Sequence, residues 1–405
     1  MASGDKITNP TLTFMNCENS GSISLDEGSN GIRNTVAGGI IAEIMCGTSD
    51  FKSGTYAYRR YYNVKIQNCK NLEGGDISYY STCQHTHYTC TYAGGIMGKG
   101  GFGHQNATSY YSAFNLQIED CENHASIQYD RNDRKSAWYN HPELCGVGGI
   151  LGHYIGAVVE SNKLSGVSPW EAVLTSCRNY GRVWGMTGYF GGIIGYARHN
   201  VIVTGTPEKP TENHGDIVVE RDADGKVVLM GKYGNRAMYV GGIMGCTYEY
   251  NYGSTATTEY AREIRINNAI NYGAVGSTSY AGGIGGLYYS AAHFVEDCTN
   301  VGEIYSLEGN STTIGSIVGS PRTTAMTLDG VAYNARQIGL RNCKVGGKIL
   351  RGAAEAVEVT ADNYFDYIYG QRWTANHAET VVEGVPYDGC TFYAVGGGSE
   401  GESGN

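Results

Sequence analysis

Two thiols and two imidazoles lie within eight residues of this chain, at Cys83, His85, His87 and Cys90. Thiolates and imidazoles are the ligands that structural zinc prefers, and four of them complete a tetrahedral site. If this segment is a strand, Cys83, His85 and His87 share one face, because alternate residues of a strand point the same way. The spacing matches no common zinc motif. A metal site, a local disulfide and two free thiols in an outer loop are the interpretations that remain open.

Carboxylates that could act as general acid or base occur in several places, but none adjoins a recognisable nucleophile. The sets are Asp130 with Asp133, Asp362 with Asp366, and Glu143 with His141. Neither His-Glu-x-x-His nor Gly-x-Ser-x-Gly occurs in the sequence, so solvated loop carboxylates are the better interpretation, and we predict no cofactor. The segment Asp222-Ala223-Asp224-Gly225 resembles the start of a calcium loop, but its apolar flanks favour a hairpin turn.

Aromatic side chains are concentrated in the stretches between the repeated motifs described below, and the chain has 33 tyrosines. Flat rings can stack on sugars or fill pockets of a partner protein. Packing of loops against the body of the protein is the alternative. The candidate ligand-binding residues are Tyr56, Tyr58, Trp138, Tyr139, Trp170, Tyr248, Tyr250, Tyr252 and Trp373.

The elements that must position these residues are repeats. A glycine hook with the pattern x-Gly-Gly-Ile-x-Gly occurs seven times, with departures at Ala42 and Ser316. A chain whose sequence motifs recur every few dozen residues builds a solenoid or array, in which each rung buries one face against the next. The hooks lie at 37–42, 93–98, 147–152, 190–195, 240–245, 281–286 and 314–319.

A second motif, Cys-x-Asn-x-Gly-x-Ile, alternates with the hook and follows residues of alternating polarity that indicate a half-buried strand. Asparagine and glycine tolerate positive φ, so we predict that the chain turns at Asn-x-Gly. The paired glycines of the hook predict close backbone approach, and the isoleucine should point inward. The copies lie at 17–23, 69–77, 121–127, 177–183, 269–275, 298–304 and 343–349, with a degenerate copy at 213–217.

Six of the 12 cysteines occupy one equivalent position of this motif. Equivalent residues of stacked strands lie about 4.8 Å apart. Because they point the same way, they are poorly oriented for a disulfide, and a column of free, buried thiols is expected instead. Ala269 in the same column supports this interpretation. The six are Cys17, Cys69, Cys121, Cys177, Cys298 and Cys343.

These patterns predict an all-β fold, a right-handed β-solenoid or β-helix with very little helix. Residues 11–350 should form one continuous solenoid after a lead-in at 1–10. Residues 351–395, where the repeat motifs lose their regularity, should form a C-terminal cap or degenerate rung. The tail at 396–405 is rich in Gly, Ser and Glu, which predicts flexibility.

The hooks and the Cys-x-Asn-x-Gly-x-Ile segments resemble the GLUG-motif repeat family over residues 11–350. The resemblance implies a β-solenoid of the kind found in secreted and surface-anchored bacterial proteins, including some immunoglobulin A peptidases. In those proteins the repeats look like extended, non-catalytic regions. The resemblance says little about activity.

The composition of the chain restricts the classes of molecule that it can bind. The net charge is −10 and there is no basic stripe, which disfavours nucleic acid. No window of 18 apolar residues exists, so we predict no membrane insertion. The N-terminus has no hydrophobic signal core. It fits a protein whose export signal has been trimmed, which we favour, or a virion protein made in the cytoplasm.

We therefore expect a secreted or bacterial cell-surface module for binding, adhesion and spacing. It would recognise a glycan or a host or cell-surface protein through its aromatic loops, without catalysis. Two alternatives stay open: a β-helical polysaccharide-active enzyme, either hydrolase or lyase, and a phage fibre or spike component. The sequence does not indicate an oligomeric state.

Overall fold

The chain coils into a stack of rungs whose strands form five parallel sheets, which we label A to E in chain order. The computed structural model describes residues 11–27, 34–44, 61–81, 90–100, 113–131, 145–155, 171–185, 188–198, 200–228, 238–247, 263–289, 292–306, 313–322, 326–328, 331–333, 339–350, 356–368, 370, 387–388 and 391–393.

Sheets A and B each have nine strands, one from every rung. The strands of sheet A are Thr11–Met15, Tyr61–Gln67, Ala113–Glu119, Glu171–Thr175, Asn200–Thr204, Glu263–Asn267, Ala292–Glu296, Gly339–Arg341 and Tyr387–Asp388. Those of sheet B are Glu18–Asn19, Lys70–Asn71, Glu122–Asn123, Arg178–Asn179, Thr211–Asn213, Ala269–Asn271, Thr299–Asn300, Lys344–Val345 and Thr391–Phe392.

Sheet C is divided at the fifth rung, where Ile217 forms single bridges to Val183 and Val275. Its strands are Ile23–Glu27, Ile77–Ser81, Ile127–Arg131 and Val183–Gly185, then Val275–Ser277, Ile304–Ser306 and Lys348–Leu350, with Val357–Glu358 antiparallel at the end.

Sheets D and E meet at the glycine hook and have seven strands each. Sheet D comprises Asn34–Gly38, Cys90–Gly94, Cys145–Gly148, Gly188–Gly191, Met238–Gly241, Tyr280–Gly282 and Thr313–Gly315. Sheet E comprises Ile41–Ile44, Met97–Gly100, Leu151–Ile155, Ile194–Arg198, Met244–Thr247, Gly285–Tyr289 and Val318–Arg322.

Helix is almost absent from the described residues, as predicted, and the 3-10 turn Tyr364–Tyr367 is an exception. Two antiparallel hairpins leave the coil, Glu220–Arg221 with Val227–Val228 and Met326–Leu328 with Val331–Tyr333. The predicted all-β solenoid is confirmed. The domain boundaries drawn from the sequence stay predictions.

Alternation along each strand places apolar side chains inside the coil. In the third rung, Leu116 and Ile118 are fully buried while Gln117 between them is exposed. The hook isoleucines point inward, as predicted, and only Ile40 on the first rung is partly exposed among them. The fully buried hook isoleucines are Ile96, Ile150, Ile193, Ile243, Ile284 and Ile317.

The chain turns at Asn-x-Gly, between sheets B and C, as predicted. The positive φ, however, lies at the corner between sheets A and B, one residue before the cysteine. Seven residues at this corner have φ between 48° and 56°. Short polar side chains tolerate this left-handed conformation best after glycine. The corner residues are Asn16, Asn68, Asp120, Ser176, Asn268, Asp297 and Asn342.

The motif asparagine is instead part of a buried ladder of side-chain amides. Asn179 shows the pattern: its Nδ2 donates to Asn213 Oδ1 at 2.8 Å and to the carbonyl of Gly181 at 2.8 Å. Its Oδ1 accepts from Asn123 Nδ2 at 2.8 Å. The same amide-to-amide bond links consecutive rungs through Asn19, Asn71, Asn123, Asn179, Asn213, Asn271 and Asn300.

The second glycine of each of the first six hooks lies against this ladder. A Cβ on Gly149 would lie 2.3 Å from Asn179 Cγ and 2.1 Å from the carbonyl oxygen of Gly192. Both distances are far below van der Waals contact, so no side chain fits. The two repeat motifs are therefore one packing unit, in which the hook glycine of one rung makes room for the asparagine of the next.

The departure at Ser316 coincides with the end of the ladder. The next rung has Val345 where the asparagine would be, paired with Asn300 in sheet B. Ser316 Oγ accepts from Asn300 Nδ2 at 3.1 Å and donates to the carbonyl of Gly346 at 3.0 Å. The serine hydroxyl thus replaces the missing amide as the partner of the last asparagine.

The cysteine column is confirmed as a row of free thiols. Five are fully buried, whereas Cys17 on the first rung is partly exposed. Cys177 Sγ donates to the carbonyls of Ile118 and Thr175, each at 3.5 Å. Ala269 and Thr211 occupy the column in the two rungs without cysteine, so the position accepts these small side chains as well.

Candidate binding site on sheet B

Two rows of side chains point outward from sheet B. Cysteine and asparagine of each rung face the interior, so the residue that follows each of them faces solvent. The row after the asparagine carries aromatic rings, and the row after the cysteine carries charges. We call the two rows together the sheet B strip, and its central part is formed by His124, Tyr180, His214, Tyr272, Lys70, Glu122, Arg178 and Glu212.

The aromatic row is a stack of four rings on four successive rungs. The ring centroids of His124 and Tyr180 lie 4.7 Å apart, those of Tyr180 and His214 4.8 Å, and those of His214 and Tyr272 4.7 Å. Each pair of ring planes differs by only 15°. The spacing equals the strand separation, so the regular register of the coil holds the rings face to face.

Both tyrosines of the stack belong to the exposed large side chains of the protein. Tyr180 is 40% exposed and Tyr272 is 41% exposed. Because each ring face covers its neighbour, the stack presents ring edges and hydroxyl groups to solvent. The surface therefore offers hydrogen-bonding groups at regular intervals along the solenoid axis.

The charged row alternates in sign and is paired within itself. Lys70 Nζ lies 3.1 Å from Glu122 Oε2. Arg178 bridges two carboxylates, with Nη1 3.6 Å from Glu122 Oε1 and Nε 3.3 Å from Glu212 Oε2. The two cations and the two anions balance, so this part of the strip has no net charge with neutral imidazoles.

The two rows are linked by histidine–glutamate contacts. His124 Nε2 lies 3.0 Å from Glu122 Oε2, and His214 Nε2 lies 3.2 Å from Glu212 Oε2. Burial tends to raise the pKa of Glu122, but the hydrogen bonds from His124 and Lys70 outweigh it and hold that pKa below its ordinary value. Burial, together with the charge of Glu212, raises the pKa of Tyr272. Tyr272 therefore keeps its proton and can donate a hydrogen bond at neutral pH.

The aromatic residues chosen from the sequence as ligand-binding candidates lie outside the described residues. These are Tyr56, Tyr58, Trp138, Tyr139, Trp170, Tyr248, Tyr250, Tyr252 and Trp373. The sheet B strip was missed, although the sequence carries a signal for it. In four successive copies of the motif, the residue after the asparagine is His, Tyr, His and Tyr.

The predicted zinc set lies outside the described residues except for Cys90, which begins a strand of sheet D. Over the part of the chain that the structure describes, no group of three or more His, Cys, Asp or Glu side chains could hold a metal ion.

The carboxylate sets from the sequence do not form a described site. Asp130 lies in a strand of sheet C, whereas Asp133, His141 and Glu143 lie outside the described residues. Asp362 is exposed in a turn and Asp366 lies in the 3-10 turn that follows.

The hairpin predicted at Asp222–Gly225 is confirmed. Asp222 Oδ1 accepts from the backbone N–H groups of Asp224 at 3.0 Å and Lys226 at 2.9 Å. One carboxylate oxygen of Asp222 thus closes the turn between the two strands of the hairpin.

A second cluster of aromatic residues, on sheets D and E, is buried. Tyr92, His153 and Tyr196 stack with centroid distances of 4.3 and 4.5 Å, and none is more than 6% exposed. At its edge Lys99 Nζ lies 2.7 Å from Glu43 Oε1. Burial makes this cluster a second core, whereas the stack of four rings on the sheet B strip is exposed.

No family model, curated protein or solved structure matches this chain. The resemblance to GLUG-motif repeats therefore stays a prediction. Among the described residues, no helix has the length and hydropathy needed to cross a membrane.

Proposed function

We propose that the protein is a non-catalytic binding and spacer module that holds an extended ligand along the sheet B strip. The observation that carries the proposal is the exposed stack of four rings in register on successive rungs. The interior of the coil explains the buried asparagines, cysteines and glycines, but it does not require aromatic rings at the surface. A polar side chain without a ring would suffice at these positions, because water can satisfy its hydrogen bonds.

The shape of the solenoid supports a linear ligand. The strip runs along the solenoid axis because its residues occupy equivalent positions of parallel, in-register strands. The nine strands of sheet A span about 38 Å along the axis at 4.8 Å per strand. A rigid body of this length also serves to separate whatever is attached to its two ends.

A secreted or cell-surface location, with adhesion to a glycan or host protein, fits this role and belongs to the same proposal. The aromatic loops predicted from the sequence would extend the binding surface. The enzyme and virion alternatives have no support in the described residues and stay predictions.

The proposal is tested by screening the protein on arrays of glycans and of cell-surface proteins, together with a variant carrying Tyr180→Ala and Tyr272→Ala. We expect the double variant to lose at least 10-fold in affinity for the ligands found, since each ring contributes contact area and a hydroxyl group. Tyr80→Ala is the matched control, because Tyr80 is 41% exposed but lies on sheet C.

Equal binding by the wild-type protein and the Tyr180→Ala, Tyr272→Ala variant would refute the strip as the binding surface. Thermal unfolding of all three proteins must be compared first, so that a loss of binding is not a loss of fold.

A further inference from the structure

We infer that the ligand of the sheet B strip is an uncharged, extended, β-linked polysaccharide that lies along the solenoid axis. This inference rests on the proposed function and adds the chemical class of the ligand. Three features of the strip carry it: the internal pairing of its charges, the interval between its exposed hydroxyl groups, and the apolar residues at its ends.

The pairing of charges argues against a charged ligand. Lys70 and Arg178, the cations of the central strip, already contact Glu122, and Arg178 also contacts Glu212. A polyanion would have to break these pairs and approach a protein of net charge −10. A polycation would have to displace the same cations from the carboxylates. A neutral ligand leaves every pair intact.

The interval between hydroxyl groups favours an extended glycan. Tyr180 and Tyr272 are two rungs apart, with His214 stacked between them, so their equivalent atoms are separated by about 9.6 Å, twice the strand spacing. In an extended β-1,4-linked chain, every second sugar presents the same face, and this disaccharide repeat has a comparable length. A helical α-linked glucan keeps no such linear repeat.

The ends of the aromatic row supply apolar contact. The equivalent position in the second rung is Leu72 and in the seventh rung Val301, both half-buried. Pyranose rings have apolar C–H faces beside their hydroxyl groups, so a chain running from Leu72 to Val301 would meet both kinds of surface. Six rungs cover about 24 Å, which corresponds to roughly five sugars in an extended chain.

The test is isothermal titration calorimetry of the full chain with defined oligosaccharides of two to eight units. Neutral β-1,4-linked series (gluco-, xylo- and N-acetylglucosamine oligomers) are compared with α-1,4-linked glucose oligomers and with oligogalacturonates. We expect binding to the neutral β-linked series, with affinity rising about 10-fold or more between two and five units and then levelling. Raising the salt from 0.05 to 0.5 M should change the affinity less than twofold, since screening acts on charge–charge attraction.

The affinities of conservative tyrosine variants show whether the ligand lies on the strip. Tyr180→Phe and Tyr272→Phe remove only a hydroxyl group and should each weaken binding about 3- to 10-fold. Tyr80→Phe on sheet C should have no effect.

Two outcomes separate this inference from the proposed function. Salt-sensitive binding of oligogalacturonate, or preference for the α-linked series, with loss in the Tyr180→Ala, Tyr272→Ala variant, would overturn the inference and leave the strip as a binding surface. Binding of any of these sugars that the double variant retains in full would overturn both.

Discussion

Replacing Asn179 by Leu is expected to lower the free energy of unfolding by about 5 kcal/mol. The substitution removes three hydrogen bonds. Asn213 Oδ1 and the carbonyl of Gly181 lose these buried partners, and Asn123 Nδ2 keeps only its bond to the carbonyl of Ala125. An unsatisfied buried polar group costs about 1–3 kcal/mol. Urea denaturation of the wild-type protein and the variant measures the difference.

Asn115→Ala is the matched control for this prediction. Asn115 Nδ2 also donates to an asparagine of the neighbouring rung, Asn63, at 3.3 Å, and its Oδ1 accepts from the backbone N–H of Glu171 at 3.3 Å. Both bonds lie on the partly exposed outer face of sheet A, where water can replace them, so we expect a loss of about 1 kcal/mol or less. Similar losses for Asn179→Leu and Asn115→Ala would show that the buried amides have no special role in stability.

Stability should fall steeply above pH 9 because of the buried thiols. Desolvation raises the pKa of Cys177 and of Cys298 to about 12, from an ordinary value of 9.0. Burial raises the pKa of Cys121 as well. Between pH 9 and 12 the unfolded chain loses these protons while the folded chain keeps them, so rising pH favours unfolding. Each such thiol should remove about 1.4 kcal/mol per pH unit in that interval.

The thiol contribution is isolated by comparing the wild-type protein with Cys177→Ala at several pH values between 8 and 11, in the presence of a reductant. The variant should be about 1 kcal/mol less stable at pH 8, since only a small cavity is created, and Ala269 already fills the same position of the column. Its stability should decline less steeply with pH, so the two curves should meet at about pH 10 and cross above it. Parallel curves would show that the thiol at position 177 is not protected from ionisation by the fold.

The buried architecture could be predicted from the sequence to a large extent because it repeats. The seven hooks and the recurring cysteines specify the rungs, their register and the inward residues, since equivalent positions must stack in a solenoid. The replacement of cysteine by Ala269 also identified the column as packed thiols. The turn at Asn-x-Gly was predicted correctly, but the positive φ was assigned to the wrong corner, since it lies one residue before the cysteine. The ladder was not predicted, because Asn-x-Gly is a common turn sequence, whereas Asn179 and five of its equivalents are fully buried.

The sheet B strip could not be assigned from a single copy of the motif, and its signal is seen only when successive copies are compared. His124, Tyr180, His214 and Tyr272 are separated by 34 to 58 residues, and nothing in one copy of the motif shows that its outward residue contacts that of the next. Only the register of the strands brings the rings together. Ser316 illustrates the same limit, because its role depends on Asn300 in its own rung and on Val345 in the next.

The central claim is that the buried asparagines form one continuous ladder that keeps the rungs, and with them the strip, in register. Exchange of side-chain amide protons tests it most directly, by NMR on protein labelled with ¹⁵N at asparagine and transferred to D₂O. The account predicts slowly exchanging side-chain signals from Asn71, Asn123, Asn179, Asn213, Asn271 and Asn300, which are fully buried. It also predicts that Asn179→Leu shifts the signals of Asn123 and Asn213. Exchange of every asparagine side chain at the rate of a free amide would contradict the ladder.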